Sequence, residues 1–342
     1  MRAWKGKLLS REEFETLYGI GDLDGLVKRL KETPYGRDIE EARARDSERS
    51  PLQLLIPALK NHIVRIHETL KGNCPGDALL FLEAVISPFE VHNIKTVMRG
   101  IEMQTDPEEA FAATIPTWRL DTRALKELID QKDIRGVISL LDTWGVPYAR
   151  PLREGYGEYS KEKKLSLLEM KLDRFVAEFY LEALDSSDED GKFTGAILSK
   201  RADGANLLNA LKFISEGFIP DHPLQYFIKG GTISSKEFLR LSEMGSVGEF
   251  MEAIAAFLRG REWKKGAGMV DLSNPLLLES YLNSGVRRFI CRHAVERPLS
   301  IAVPLCFLYA KYSEVERLRL IASGISFSIP QGELRKIIGT YQ

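Results

Sequence analysis

Apolar positions along the chain fall at helical spacing, and the spacing is written more than once. One segment type opens with an apolar residue and a small polar residue, then an amphipathic run: Leu9-Ser10 before Phe14 and Leu17, Leu120-Asp121 before Leu125 and Leu128, Ile233-Ser234 before Phe238 and Leu241. The internal offsets, +5 and +8, are the same in all three. Ser10 with Glu13 and Ser234 with Glu237 read as capping boxes, and Asp121 as an N-cap, because each oxygen can take up an orphan N–H of a first helical turn. Each segment therefore predicts a helix start.

A second segment type follows the first at a nearly constant separation in each unit. Glu90-Val91-His92-Asn93-Ile94-Lys95 is echoed by Asp203-Gly204-Ala205-Asn206-Leu207-Leu208 and, more faintly, by Glu314-Val315-Glu316-Arg317-Leu318-Arg319. Apolar residues stand at +4, +7, +8 and +11 from the acidic residue: Ile94, Val97, Met98 and Ile101; Leu207, Ala210, Leu211 and Ile214; Leu318, Ile321, Ala322 and Ile325. That is one face of a helix. Pro107, Pro220 and Pro330 then close the three copies, which recur at an almost even interval along the chain. The reading predicts helices that begin near Glu90, Asp203 and Glu314.

Between these segments the pattern stays helical. Asp38 to Lys71 is interrupted by Pro51 and Pro57; Lys161 to Leu184 runs on with Leu165, Leu168, Leu172, Phe175, Val176 and Phe179 on one face; Asn274 to Val295 is the third such stretch. Period-2 alternation is scarce, and the acidic run Asp185 to Asp190 reads as a solvated loop. The fold class predicted is all-α, in three consecutive pseudo-equivalent helical modules: residues 1–114, 115–227 and 228–342, with soft boundaries near Thr114 to Trp118 and Leu224 to Thr232.

Composition narrows the function. With 342 residues, 44% apolar and 28% charged, the chain can bury a core and is neither disordered nor collagen-like. Lys+Arg 48 against Asp+Glu 49 leaves a net charge of -1, without the cationic excess that a nucleic-acid binder needs. Cys74, Cys291 and Cys306 show no CxxC spacing, so free thiols and a reducing, cytosolic setting are expected. No basic-then-apolar leader opens the sequence, and the longest nearly apolar stretch reaches only from Leu299 to Ala310 and is interrupted by Pro304. A bilayer span needs about 20 apolar positions in a row.

Candidate chemistry is thin. His62, His67, His92, His222 and His293 are scattered and none pair at i,i+4, whereas zinc needs three or four converging ligands. Cys291 and His293 point to different faces of a helix. No GxxxxGK[ST] occurs, and Gly19 to Gly25 reads as an inter-helix turn rather than a phosphate or calcium loop. The acidic residue of each recurrent helix is placed in a first turn, where it complements the macrodipole; Ser87-Pro88-Phe89-Glu90 reads as a capping box with proline at the first helical position. Arg287, Arg288, Arg292, Arg297, Lys311, Arg317 and Arg319 form a basic set read as a solvated face. Accordingly no catalytic, cofactor-binding or metal-binding residue is assigned.

The triple E/D-x-x-N-(I/L)-(K/L) helix, the Pro34-Tyr35-Gly36 turn echoed at Pro147-Tyr148-Ala149, and Asn206 to Gly217 followed by Phe227-Ile228-Lys229-Gly230-Gly231 together resemble the C subunit of V-type and A-type rotary ATPases, the family whose eukaryotic member is called d. The similarity runs from about Trp4 to Ile338. Arg317 stands where the pattern expects Asn, and the first helix lies close to the start of the sequence, so the first module is expected to be slightly abbreviated. The resemblance implies a non-enzymatic funnel of three modules in the central stalk, peripheral to the membrane on its cytoplasmic side and without cofactors. It implies as partners the D and F subunits of the central shaft and the membrane proteolipid ring, with coupling of ATP turnover or synthesis to proton or sodium transport. An unrelated helical scaffold for soluble partners and an unrecognised all-α hydrolase are the alternatives.

Overall fold

The structure, a computed structural model, describes residues 7–74, 76–184, 188–260 and 275–339. Among them every regular element is helical: α1 (Arg11–Tyr18), α2 (Leu23–Lys31), α3 (Gly36–Arg45), α4 (Pro51–Asn73), α5 (Asp77–Met103), α6 (Pro107–Ala113), α7 (Thr122–Ile129), α8 (Ile134–Thr143), α9 (Ala149–Glu162), α10 (Leu165–Ala183), α11 (Glu189–Ser215), α12 (Ser235–Ser242), α13 (Val247–Gly260), α14 (Pro275–Glu296), α15 (Ala302–Ser326) and α16 (Gln331–Gly339), with a 3₁₀ turn at Pro223–Tyr226. The fold is all-α. No helix among the described residues is long and apolar enough to cross a membrane.

The chain divides into two compact units. The first comprises Met1–Pro75, Ile115–Thr122 and Cys291–Gln342. Here α4 packs on α15, α3 lies against α4, and α2 touches α3, α4 and α15. Leu26, Leu30, Ile39, Leu55, Ile63, Leu305, Leu318 and Ile321 are fully or almost fully buried between them. The second unit comprises Gly76–Thr114 and Arg123–Ile290. In it α10 packs against α5, α9 and α11, while α12 and α13 lie on α11.

Local chemistry explains the helix starts. Ser10 and Glu13 form the reciprocal capping box, and Ser234 accepts from the amide of Glu237. Asp22 caps α2 at the amide of Gly25, so the Gly19 turn ends at Asp22 and Gly25 already belongs to a helix. Pro51 opens a helix behind a Ser50–Gln53 capping box instead of breaking one, and Pro57 lies inside that helix. The stretch from Lys161 is interrupted, because α9 ends at Lys163 in a left-handed conformation, φ 55°. Of the acidic run, Asp185 to Ser187 lie outside the described residues, while Asp188 caps α11 and Glu189 and Asp190 occupy its first turn.

The three long helices do not begin where the spacing predicts. Glu90, Asp203 and Glu314 sit in the middle of α5, α11 and α15, which run for 27, 27 and 25 residues. Ser87-Pro88 is therefore no cap. Phe81, Leu82, Val85 and Ile86 already belong to the buried face of α5, and the helix continues through its proline. The three helices end alike: Gln104, Gly217 and Ser328, each at the same offset beyond its carboxylate, have φ 53°, 58° and 55°. The next amide in each case bonds back to a carbonyl of the last turn, Thr105 to Gly100 at 2.9 Å, Phe218 to Phe213 at 3.1 Å and Ile329 to Gly324 at 2.8 Å. This is a Schellman closure, which stops a helix by turning one residue left-handed.

One covalent link departs from the expectation of free thiols. Cys291 and Cys306 are joined in a disulfide, and Cys74 is the free thiol. The turn between α14 and α15 brings the two Cα atoms to 4.9 Å, within bridging reach. The spacing of the two cysteines gives no sign of this, because it depends on how the two helices meet.

Candidate functional site

The three recurrent carboxylates are buried, at 2%, 4% and 2% exposure for Glu90, Asp203 and Glu314. Deep in a helix they cannot serve the macrodipole, whose effect is confined to the terminal turns. Each instead receives donors from the start of another copy of the sequence pattern. Tyr148, at the Pro-Tyr turn before α9, donates its hydroxyl to Glu90 Oε2. The amides of Thr232 and Ile233 donate to Asp203 Oδ1 at 2.7 and 2.8 Å, and the Thr232 hydroxyl donates to Oδ2 at 2.6 Å. Glu314 takes the amide of Leu9 at 2.7 Å and the hydroxyl of Tyr35, at the other Pro-Tyr turn, at 2.6 Å. The first segments therefore dock through their opening backbone or their Pro-Tyr turn. Charge-assisted bonds of this kind are the strong ones, and a carboxylate with several donors stays fully satisfied out of water.

The Asp203 site shows how the sequence builds such a joint. Asn206 lies one turn on and exchanges two bonds with the backbone of Ile228: Nδ2 donates to the Ile228 carbonyl and the Ile228 amide donates to Oδ1, both at 2.8 Å. Asn209 reaches the carbonyl of Tyr226 at 3.1 Å. Positions i, i+3 and i+6 of α11 thus satisfy backbone groups of an irregular segment at and beside its buried residues Tyr226, Ile228 and Ile233, where unpaired polar groups would be costly. The glycine pair is required here. Gly230 has φ +92° and faces Leu181; a Cβ on Gly231 would stand 2.3 Å from Asp203 Oδ1. Asn93 is fully buried in α5, whereas Arg317 lies over the ring of Phe14 at 4.4 Å. Buried asparagines inside a helix are disfavoured unless partnered, so the repeated E/D-x-x-N spacing is itself a signal of docking.

Further charges brace the second unit. Glu169 of α10 takes two bonds from Arg99 of α5 at 2.5 and 2.9 Å and one from Lys212 of α11 at 3.0 Å. Burial alone would raise this carboxyl, but Arg99, Lys212 and Lys95 outweigh it and hold its pKa at about 2. Lys95 is paired with Asp173 at 2.6 Å.

In the first unit the predicted solvated basic face fails at Lys311. Its ammonium is fully buried, bonded to Glu314 at 2.6 Å and to the carbonyl of Lys7, and stands 4.9 Å from the centre of the Tyr35 ring. Burial pushes the ammonium down against the upward pull of Glu314, and burial with the Glu314 charge lifts the Tyr35 hydroxyl well above its usual value. His62 bonds Asp38 at 2.8 Å under Tyr35, His67 bonds the Tyr312 hydroxyl at 2.6 Å beside Trp118, and His92 and His222 are exposed. Among the described residues no three His, Cys, Asp or Glu side chains gather as a metal site would require.

The class defined by this geometry is a helical protein built on a repeated pattern, whose buried polar groups are used to join its own segments. The family model described as ATP synthase (C/AC39) subunit matches residues 1–337, and the chain belongs to that family. Among the relatives it is similar to, the C subunit of the A-type ATP synthase of Halorubrum lacusprofundi is 27% identical over 98% of this chain and 94% of its own length. The protein of the same name from Haloferax volcanii is 26% identical over 95% and 91%, and that of Methanocaldococcus jannaschii 23% identical over 99% and 84%.

Proposed function

We propose that this chain is the non-catalytic central-stalk adaptor of a rotary A/V-type ATPase, peripheral to the membrane on its cytoplasmic side. It joins the D and F subunits of the shaft to the membrane proteolipid ring and so couples ATP turnover to proton or sodium transport. The observation that carries this is the match of residues 1–337 to the ATP synthase (C/AC39) subunit family, with relatives named as the C subunit of A-type ATP synthases over nearly their full length. The buried joints support it physically. An adaptor performs no chemistry and must keep its shape while two partners load it, which is what satisfied carboxylates between segments of the chain provide. On this reading residues 1–114, 115–227 and 228–342 are three modules of a funnel. The joints run from one copy to the next, Glu90 to Tyr148, Asp203 to Ile233 and Glu314 back to Leu9, the cyclic order such a funnel requires.

The test is retention of the soluble head on ring-containing vesicles. Vesicles carrying the proteolipid ring are mixed with head and shaft, with or without the chain, and sedimented. The head is expected in the pellet only when the chain is present; equal sedimentation in its absence contradicts the adaptor role.

A further inference from the structure

Helix α5 runs unbroken from Asp77 to Met103 with Pro88 inside it. A proline has no amide for the carbonyl four residues back, here Ala84, and its ring crowds that carbonyl, so an interior proline ordinarily leaves a helix kinked and compliant. In α5 the Ala84 oxygen, deprived of an amide by Pro88, and the neighbouring Val85 oxygen both take donors from side chains. The Ser87 hydroxyl donates to the Ala84 carbonyl at 2.9 Å. From α11, Arg201 directs Nη1 to the Ala84 carbonyl at 3.4 Å and Nη2 to the Val85 carbonyl at 2.8 Å. Ala84 and Val85 are fully buried, so water does not compete for these acceptors. Two residues further along α11, Asp203 holds Thr232 and Ile233.

We propose that Arg201 is the positioning residue that keeps α5 stiff through its proline, its guanidinium joining the Ser87 hydroxyl to hold the Ala84 and Val85 carbonyls where Pro88 supplies no amide. This rests on the chain being a coupling element, because stiffness matters to a part that bears load. Through Arg201 and Asp203, α11 ties the middle of α5 to the segment after the glycine pair, one continuous path for force within the second unit. The corresponding positions, two before each carboxylate, are Pro88, Arg201 and Tyr312, so the proline and the residue that compensates for it occupy equivalent places in two copies of the pattern.

The experiment is hydrogen exchange on the full chain, followed by transport measurements in the reconstituted complex. In Arg201→Met, amides 86–93 should exchange about tenfold faster while α15 is unchanged; Arg201→Lys, which keeps one donor group, should lie between and covers the case where Arg201→Met does not fold. Pro88→Ala combined with Arg201→Met should restore slow exchange, because alanine supplies the missing amide. In the complex, Arg201→Met should lower the ions moved per ATP hydrolysed by about twofold, and the double variant should recover it. Unchanged exchange, a rise across the whole chain, or no rescue by Pro88→Ala overturns the proposal. Faster α5 exchange with unaltered coupling also overturns the positioning role and leaves the adaptor function standing. Undiminished coupling in complexes that lack the chain altogether defeats the adaptor function itself.

Discussion

His67 is buried on α4 with Nε2 against the Tyr312 hydroxyl and Nδ1 without a partner, and burial pulls its pKa from the ordinary 6.5 down to about 4. The folded chain thus prefers the neutral ring. Its contribution to stability is fully present above pH 6.5 and is lost as pH falls toward about 4, a full loss of about 3 kcal/mol. Denaturant titrations between pH 7 and pH 4 should show this loss, and His67→Gln, which keeps a polar partner for Tyr312 but does not titrate, should flatten the profile in that window. A second expectation concerns Asp203, whose three acceptor bonds end on two backbone amides and a hydroxyl. Asp203→Ala orphans all three and should cost about 3 kcal/mol or more, whereas Asp203→Asn retains an acceptor for the amides and should cost about 1 kcal/mol. Denaturation midpoints at unchanged slope measure both. Local sequence does not show why these residues matter. A lone histidine or a helix-borne carboxylate reads the same whether solvated or docked, and two of the partners of Glu314 lie 305 and 279 residues away.

Helix identity is legible in the sequence and helix extent is not. The apolar face at +4, +7, +8 and +11 is real, with Ile94, Leu207 and Leu318 buried in the three long helices. Their starts are misplaced when Pro88 is read as a boundary. That inference assumes a proline's neighbours must satisfy their own carbonyls, while here Arg201 and Ser87 do so. Pro57 inside α4 misleads by the same assumption. The disulfide is invisible because two helices and a turn, not a spacing, bring Cys291 to Cys306. The glycine pair after Phe227 stands out as a pattern, but its reason appears only with Asp203 beside it. Gly231→Ala should force the new methyl into the Asp203 carboxylate and cost about 1–3 kcal/mol, with faster amide exchange at Thr232 and Ile233. An alanine variant of ordinary stability and exchange would mean that the segment can retreat from α11 without loss.

At the scale of the molecule, the polar interior serves cohesion. Glu90, Asp203 and Glu314 direct their acceptor capacity to the chain itself, and the Glu169 cluster braces α5, α10 and α11 in the same way. Glu314 takes Leu9 and Tyr35 from the first copy of the pattern, while Glu90 takes Tyr148 from the second and Asp203 takes Ile233 from the third. Weakening one joint should reduce transmission before it abolishes folding: Asp203→Asn in the reconstituted complex should keep ATP hydrolysis while lowering ion uptake. The most direct measurement of the central claim is ion uptake and ATP hydrolysis in the same vesicles, reconstituted with and without this chain. The adaptor account predicts that hydrolysis by the head persists without the chain while ATP-driven uptake is lost and returns when the chain is added back. Uptake that continues undiminished in its absence would contradict it.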